Sequence, residues 1–212
     1  MSTLIDLTFT PGGDLRFQCT ADRRTVALKS QETAYTGVVY DLSMSSMTGT
    51  YLDLPGHIQE TDNGVDAATY RLERLYRRRA VVIHLDREDG SGAVTGAELD
   101  RACPTKIRAG DALIVNALGA RPCYAIAERS VFLDHSAVDW IIASGTELLV
   151  SDIYESRRLE GVFLSLFRAG IAAVCMPVNL ERLTAPEVLL TLLPLPLAGV
   201  TQIPCRMVAE VE

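Results

Sequence analysis

The chain has 212 residues, of which 48% are apolar and 22% charged, and this composition predicts a globular protein with a full core. Its net charge of −7 and a pI near 5.0 argue against a nucleic-acid partner. No apolar run reaches the roughly 18 residues of a membrane helix, and the N-terminus lacks the basic flank of a signal peptide. We therefore expect a cytoplasmic protein with no membrane partner.

Cysteine and histidine are both scarce. The chain has five cysteines, an odd number, and no two of them form a CxxC pair, so disulfides are not expected: they are Cys19, Cys103, Cys123, Cys175 and Cys205. The three histidines are His57, His84 and His135. No phosphate loop, nucleotide fingerprint or nucleophile elbow is present, so the sequence predicts no cofactor.

The first part of the chain predicts two strands and a helix. The strands cover residues 4–8, ended by the turn Pro11-Gly12-Gly13, and residues 36–42, where β-branched and aromatic side chains concentrate. Residues 67–78 predict a helix, because their apolar side chains recur with helical spacing at Leu72, Leu75 and Tyr76.

After residue 95, helices and strands alternate, which predicts helices packed on a sheet. The predicted strands cover residues 80–85, 111–116, 147–152, 171–176, 192–197 and 205–211. The predicted helices cover residues 96–103, 134–143 and 159–169, and the last two end at Gly145 and Gly170. No linker interrupts this pattern, so we expect a single α/β domain over residues 1–212.

One segment, residues 47–57, combines polar chemistry with backbone constraint. It reads Met-Thr-Gly-Thr-Tyr-Leu-Asp-Leu-Pro-Gly-His and holds Asp53 and His57 among glycine and proline residues that fix an irregular backbone. Such a carboxylate can orient the imidazole for acid–base catalysis, or both groups can bind a metal. The spacing alone favours a third interpretation, a capping aspartate and a surface histidine.

The same segment resembles the motif His-x-Gly-Thr-His-x-Asp-x-Pro-x-His of the cyclase family that includes kynurenine formamidase. Five positions match, namely Gly49, Thr50, Asp53, Pro55 and His57. Similarity to the family continues at residues 4–8, 107–113, 138–152, 168–183 and 193–199 and so covers nearly the whole chain. The resemblance implies the family's fold, an α/β swivelling β/β/α domain, in a dimer or higher homo-oligomer.

The departures from the motif concern the metal ligands. In the family, the first two motif histidines and the aspartate hold zinc or manganese, and a later histidine and a glutamate complete the site. Here Met47 and Tyr51 replace the first two, and Phe163 and Cys175 align with the later pair. Only Asp53 remains with certainty, so no metal is expected. A rebuilt site of Asp53, His57 and Cys175 would offer at most three ligands and stays open as an alternative.

Replacing charged ligands by apolar side chains predicts a small-molecule pocket with few polar groups. We expect this pocket to be lined by Met47, Thr50, Asp152, Phe163 and Cys175. The last motif histidine works in acid–base catalysis in the family, and here Asp53 and His57 would exchange a proton while Tyr51 donates a hydrogen bond to a carbonyl oxygen. Ring closure, isomerisation or dehydration suits this set better than hydrolysis, which lacks a metal to activate water.

Three functions follow from these residues. The first is a metal-independent cyclase or lyase acting on a small organic substrate, with secondary metabolism as its expected setting. The second is a non-catalytic pseudoenzyme that binds a ligand, and the third is an amide or lactone hydrolase of the kynurenine formamidase type with a remodelled metal site. Outside the motif, His84 is expected as a satisfied strand residue and His135 as a residue of a helix cap.

Overall fold

The structure is a computed structural model that describes residues 2–11, 19–89, 91–123 and 129–211. The strands within these ranges are β1 (Thr3–Asp6), β2 (Cys19–Lys29), β3 (Ala34–Met44), β4 (Tyr51–Asp53), β5 (Arg78–His84), β6 (Gly92–Val94), β7 (Ala112–Asn116), β8 (Val131–Leu133), β9 (Leu148–Ser151), β10 (Ala172–Cys175), β11 (Glu187–Pro194) and β12 (Gln202–Val211). The α-helices are α1 (Gly96–Ala102), α2 (His135–Ala143) and α3 (Val162–Arg168).

Eight of these strands form one sheet that closes on itself. Their order is β1-β12-β11-β5-β7-β9-β10-β4, and β4 pairs in addition with β12. The long strand β12 makes this closure possible, because residues 202–204 pair with β4 while residues 208–211 pair with β1 along the same edge. The central strands β5, β7, β9 and β10 run parallel, and the other pairs are antiparallel.

The parallel strands separate two hydrophobic clusters, since successive side chains of a strand point to opposite faces. Val82, Ile114 and Val150 belong to a cluster enclosed by the sheet, which also contains Leu190 and Met207 from the antiparallel strands. Their neighbours in sequence, which face outward, pack against the three helices: Val81, Leu113 and Leu149 share a cluster with Leu99, Ile141 and Leu166. Both faces of these strands are therefore dry, as expected for parallel strands.

Strands β2 and β3 form a separate two-stranded ribbon, which we call the arm. Eleven residues of each strand pair in antiparallel register, from Cys19 opposite Met44 to Lys29 opposite Ala34. Within the described ranges, neither strand packs extensively against another helix or strand.

Most predicted elements are confirmed, with shifts of a few residues at their ends. The helix predicted over residues 67–78 is wrong, because the structure has only a 3-10 turn, Leu72–Arg74, after which β5 begins. The final strands are longer than predicted, and β11 lies at Glu187–Pro194 instead of 192–197. Gly12 and Gly13 of the predicted turn lie outside the described residues. No helix in the described part of the chain is long and apolar enough to cross a membrane.

Candidate active site

A cavity of about 500 Å³ opens where β9 and β10 end and the antiparallel strand β4 begins. Its wall is completed by the 3-10 turn Pro55–His57, by the segment that follows β9 and by the start of α3. Seven of the eight residues that the sequence places in the site line this cavity: Met47, Tyr51, Asp53, His57, Asp152, Phe163 and Cys175. The structure thus brings together side chains that lie up to 128 residues apart in the chain.

The short strand β4 positions Asp53 at the bottom of the cavity. Its backbone pairs on both sides, so that Asp53 lies opposite Ala173 of β10 and opposite Gln202 of β12. The turn before β4 requires glycine at position 49, where φ is +67° and a Cβ atom would stand 2.9 Å from the carbonyl oxygen of Phe9. The matched glycine of the motif is therefore explained by the backbone that delivers β4 into the sheet.

Asp53, Cys175 and Tyr51 form a chain of buried polar groups. The Cys175 thiol donates to Asp53 Oδ2 at 3.6 Å, and the Tyr51 hydroxyl is a hydrogen-bond neighbour of the same thiol. Asp53 Oδ1 has no hydrogen-bond partner among the described residues. Burial raises the pKa of Asp53, while the neighbouring His57 and Gln202 oppose this shift.

The same burial acts on the two partners of Asp53. Burial raises the pKa of the Cys175 thiol, and the negative charge of Asp53 adds to this effect. Burial also raises the pKa of the Tyr51 phenol, to which Cys175 and Asp53 contribute. Burial therefore shifts all three groups toward their protonated forms, which are poorer metal ligands than the ionised forms.

His57 lies at the mouth of the cavity and is exposed to solvent. Its Nε2 atom is 3.4 Å from Nε2 of Gln202, whose Oε1 accepts a hydrogen bond of 2.7 Å from the Ser46 hydroxyl. Because Ser46 fixes Oε1 of this amide, the NH₂ group of Gln202 is turned toward His57. Gln202 thus lies beside the exposed imidazole of His57 and, in the pairing of β12 with β4, opposite Asp53.

Aromatic rings form one wall of the cavity. Phe163 stacks on Tyr154 with centroids 4.8 Å apart, and Phe167 lies 5.7 Å from Phe163. The His57 ring contacts Phe167 edge-on at 6.5 Å. This wall covers the position at which the resemblance places a metal-binding histidine and makes that side of the cavity apolar.

Two of the expected pocket residues have a structural explanation. Thr50 does not line this cavity, contrary to the prediction, because its hydroxyl donates to the Met176 carbonyl at 2.7 Å and accepts from the Phe9 amide at 2.8 Å. Asp152 does line the cavity, but its carboxylate accepts from the amides of Ala117 and Leu118 and from the side chain of Asn116. Asp152 therefore holds the loop after β7.

The other two histidines also have structural roles. His84 Nε2 is 2.7 Å from the Leu183 carbonyl oxygen, and its Nδ1 is 3.1 Å from Oδ1 of Asn116. His135 is the first residue of α2, which is capped by the Asp134 side chain. Neither residue lines the cavity.

Three polar residues of the site escape sequence reasoning. Gln202 follows a loop and precedes no recognisable motif, and Tyr154 and Glu155 lie in the irregular segment after β9. Glu155 Oε1 accepts from the Phe163 amide at 3.3 Å, while Oε2 has no partner among the described residues. The sequence gives one indication of Tyr154 and Glu155. They follow a strand that ends at residue 151, and residues beyond the carboxyl ends of such strands commonly line a binding site.

The donor set does not fit a zinc or manganese ion. No three His, Cys, Asp or Glu side chains in the described ranges are arranged to hold a metal. Met47 and Phe163 offer a thioether and a hydrocarbon ring, and the thiol of Cys175 resists deprotonation because it is buried. Asp53, His57 and Glu155 all line the cavity, but among the described residues they do not converge as a set of three ligands, so no step of the chemistry below passes through a metal.

The fold and cavity define a closed-sheet α/β protein with a buried acid. Comparisons with known proteins identify its family. The model of the putative cyclase family matches residues 5–156, and the chain belongs to this family. No curated protein sequence matches the chain.

Solved structures share the whole fold at low sequence identity. A potential metal-dependent hydrolase with cyclase activity is 16% identical, with a TM-score of 0.74 over 100% of this chain and 99% of that one. Isatin hydrolase A from Labrenzia aggregata is 18% identical, with a TM-score of 0.73 over 99% and 94%. A structure described as a novel cyclase is 14% identical, with a TM-score of 0.76 over 98% and 86%. The predicted family fold is thereby confirmed.

Proposed function

We propose that this member of the cyclase family catalyses a metal-independent ring closure, isomerisation or dehydration of a small organic substrate by acid–base chemistry. The observation that carries this proposal is the buried Asp53, whose Oδ1 has no partner and whose pKa is raised by burial. A raised pKa favours the protonated form of the carboxyl group, and in that form Asp53 can act as a proton donor.

The exposed His57 provides the complementary base. In a dehydration, His57 takes the proton from the carbon next to a carbonyl group, and the electrons of that C–H bond form the new double bond. Asp53 gives its proton to the departing hydroxyl group, which leaves as water. Return of the proton from His57 to Asp53 then restores both groups, and Gln202 lies between them.

Tyr51 has a supporting role in this scheme. Its phenol remains neutral because burial raises its pKa, so it can donate a hydrogen bond to a carbonyl oxygen that gains negative charge in the transition state. The apolar wall of Tyr154 and Phe163 excludes water, which strengthens such a bond and suits an aromatic or otherwise flat substrate.

The proposal depends on Asp53 being protonated, and this can be measured directly. We expect the infrared difference spectrum between the wild type and Asp53→Asn at neutral pH to contain the carbonyl stretch of a protonated carboxylic acid. A difference spectrum with only carboxylate bands would contradict the proposed role of Asp53 as an acid.

Turnover then tests the reaction class. A panel of β-hydroxy ketones, lactones, aromatic formamides and isatin is incubated with protein in a buffer containing EDTA, and products are followed by mass spectrometry. We expect conversion that EDTA does not reduce and that Asp53→Asn or His57→Ala lowers by about 100-fold or more. Conversion that needs added zinc or manganese would instead support the hydrolase, and tight binding without conversion the pseudoenzyme.

A further inference from the structure

Sulfur atoms concentrate in the cavity of the candidate active site. The chain has five cysteines and five methionines, ten sulfur atoms in all, and four of them line this one cavity. They belong to Met47, Cys123, Cys175 and Met176. The proposed reaction uses none of them as acid or base, so their concentration needs a separate explanation.

Two of these sulfurs are in direct contact. The Cys123 thiol donates a hydrogen bond to Sδ of Met176, with 3.3 Å between the two sulfur atoms. Both side chains are half-buried. The thiol proton therefore lies between the two sulfurs, and a lone pair of the thioether points at it. A soft cation that replaces this proton is bound by both sulfurs at once, since thiolate and thioether are soft ligands.

The backbone turns Met176 into the cavity. Strand β10 ends at Cys175, and in a continued strand the next side chain would point to the opposite face. Met176 instead adopts a φ of +58°, which is uncommon for a residue other than glycine, and both side chains line the cavity. The Thr50 hydroxyl holds this conformation by donating to the Met176 carbonyl at 2.7 Å. Strained backbone of this kind clusters where the placement of a side chain has a function.

Charge favours a monovalent cation. Burial raises the pKa of the Cys175 thiol, so this residue keeps its proton and Cys123 supplies the one thiolate. One thiolate neutralises one positive charge, and a neutral pair avoids the cost of a net charge beside the apolar wall of Tyr154 and Phe163. A divalent ion would keep one positive charge that these sulfur ligands do not compensate.

The remaining ligands favour copper in its monovalent state. Thioether sulfur suits Cu(I), which is a soft ion, and not zinc or manganese, which prefer nitrogen, oxygen or thiolate ligands. Met47 provides a second thioether, because it lines the same cavity, is 48% exposed and has a flexible side chain that can bring Sδ toward Cys123. One thiolate and two thioethers therefore form an uncharged complex with a single Cu(I) ion.

We propose that the cavity binds one Cu(I) ion through the thiolate of Cys123 and the thioethers of Met176 and Met47. Binding replaces the thiol proton of Cys123, which is released to solvent, and neither copper nor sulfur changes its oxidation state. The ion takes up part of the cavity that a substrate would fill. This inference goes beyond the proposed function, because the binding requires neither substrate nor turnover.

Competition with a chelator measures the affinity. Protein is titrated under anaerobic conditions into the Cu(I) complex of bathocuproine disulfonate, whose absorbance falls when copper leaves it. We expect the wild type to withdraw one equivalent of Cu(I). Cys123→Ser removes the thiolate and is expected to weaken binding by about 100-fold or more, whereas Met176→Leu and Met47→Leu each remove one thioether and are expected to weaken it by about tenfold.

Two matched variants serve as controls. Cys103→Ser removes another half-buried cysteine, and Met44→Leu removes another partly exposed methionine, and neither of these residues lines the cavity. Both variants are expected to keep the affinity of the wild type. Circular dichroism verifies that every variant is folded.

X-ray absorption spectroscopy of the copper-loaded wild type identifies the ligands. We expect sulfur atoms to be the only neighbours of the copper. An affinity that any of the three cavity substitutions leaves unchanged would overturn the proposal, and so would nitrogen or oxygen neighbours. Zinc, titrated against a zinc chelator, is expected not to bind, and one equivalent of tightly bound zinc would equally contradict the assignment.

Discussion

Asp53 retains an ionisable group in surroundings that penalise its charge. Its Oδ2 faces the Cys175 thiol, and Oδ1 has no partner among the described residues. Proteins rarely leave a buried carboxyl oxygen unsatisfied without a functional reason. Burying Asp53 therefore costs folding free energy, and we interpret this cost as evidence of a functional site. The cost can be measured.

We expect Asp53→Asn to be more stable than the wild type at neutral pH. Because burial raises the pKa of Asp53 above the ordinary aspartate value of 3.8, the folded state binds the proton more tightly than the unfolded state. The contribution of Asp53 to stability is thus present at acidic pH and is lost as the pH rises through the raised pKa. Melting temperatures of both proteins between acidic and alkaline pH provide the measurement, and a wild type that is the more stable protein at alkaline pH would contradict it.

Glu187 shows the opposite behaviour at the rim of the sheet. The Arg79 guanidinium, which also pairs with Asp111, lowers the pKa of Glu187 to about 2. Its contribution to stability is therefore present above the ordinary glutamate pKa of 4.5 and is lost as the pH falls through about 2.

We accordingly expect Glu187→Gln to lower the melting temperature at neutral pH and to have progressively less effect below pH 4.5. Thermal unfolding of the variant and the wild type over this range measures the difference. The prediction fails if the two curves stay parallel, because a pH-independent loss would come from packing and not from the ion pair with Arg79.

At the scale of elements, burial decides which helices and strands could be predicted from the sequence pattern. The parallel strands β5, β7, β9 and β10 were predictable because their side chains are mostly apolar and buried on both faces. The helix predicted over residues 67–78 does not form. Leu75 is buried but Leu72 and Tyr76 are exposed, so no continuous apolar face packs against the body to stabilise a helix. Strand β2 was missed because its sequence is charged and, within the described ranges, it packs extensively only against β3.

The site divides in a similar way. The motif placed Asp53, His57 and Tyr51 together, and the resemblance to the family placed Phe163 and Cys175 beside them, because the fold that the chain shares with the family brings these positions to one cavity. Gln202 and Tyr154 could not be predicted, since each is a single polar residue whose partners come from distant strands. Thr50 belongs to the motif, yet it serves the backbone and not the cavity.

Tyr154 connects two strands through one hydroxyl group. The hydroxyl lies 2.8 Å from the Val174 carbonyl oxygen and 3.1 Å from that of Leu149, and it accepts from the Ser151 amide at 3.1 Å. Tyr154→Phe keeps the ring that stacks on Phe163 but removes the hydroxyl from all three of these buried hydrogen-bond contacts.

We therefore expect Tyr154→Phe to lower the free energy of unfolding by about 1–3 kcal/mol. Urea denaturation followed by circular dichroism measures the change. Phe163→Leu is a suitable comparison, because it removes the stacked ring and leaves the hydroxyl bonds in place. A loss below the experimental error for Tyr154→Phe would mean that the hydroxyl does not stabilise the junction of β9 and β10.

For the molecule as a whole, the backbone agrees with solved structures of similar fold, while the side chains of the cavity do not fit a metal of the zinc or manganese kind. The fold matches proteins described as metal-dependent hydrolases and cyclases over nearly their full length, although only about one residue in six is identical. The closed sheet still brings β4 against both β10 and β12, so positions 47, 51, 53, 163 and 175 still meet at one cavity. The poor fit of the cavity to such a metal is therefore explained by its side chains and not by the position of the backbone.

This explanation predicts that zinc binding can be introduced by substitution. We expect zinc to bind in a one-to-one ratio to a variant with four changes, Met47→His, Tyr51→His, Phe163→His and Cys175→Glu, because these add three imidazoles and a carboxylate to Asp53. Elemental analysis of purified protein after dialysis measures the zinc content, and the wild type treated identically is expected to contain none. Adding Asp53→Asn to the variant should weaken binding by at least about tenfold, since it removes one ligand. A folded variant that retains no zinc would show that the backbone of the cavity has also diverged from that of a metal-binding protein.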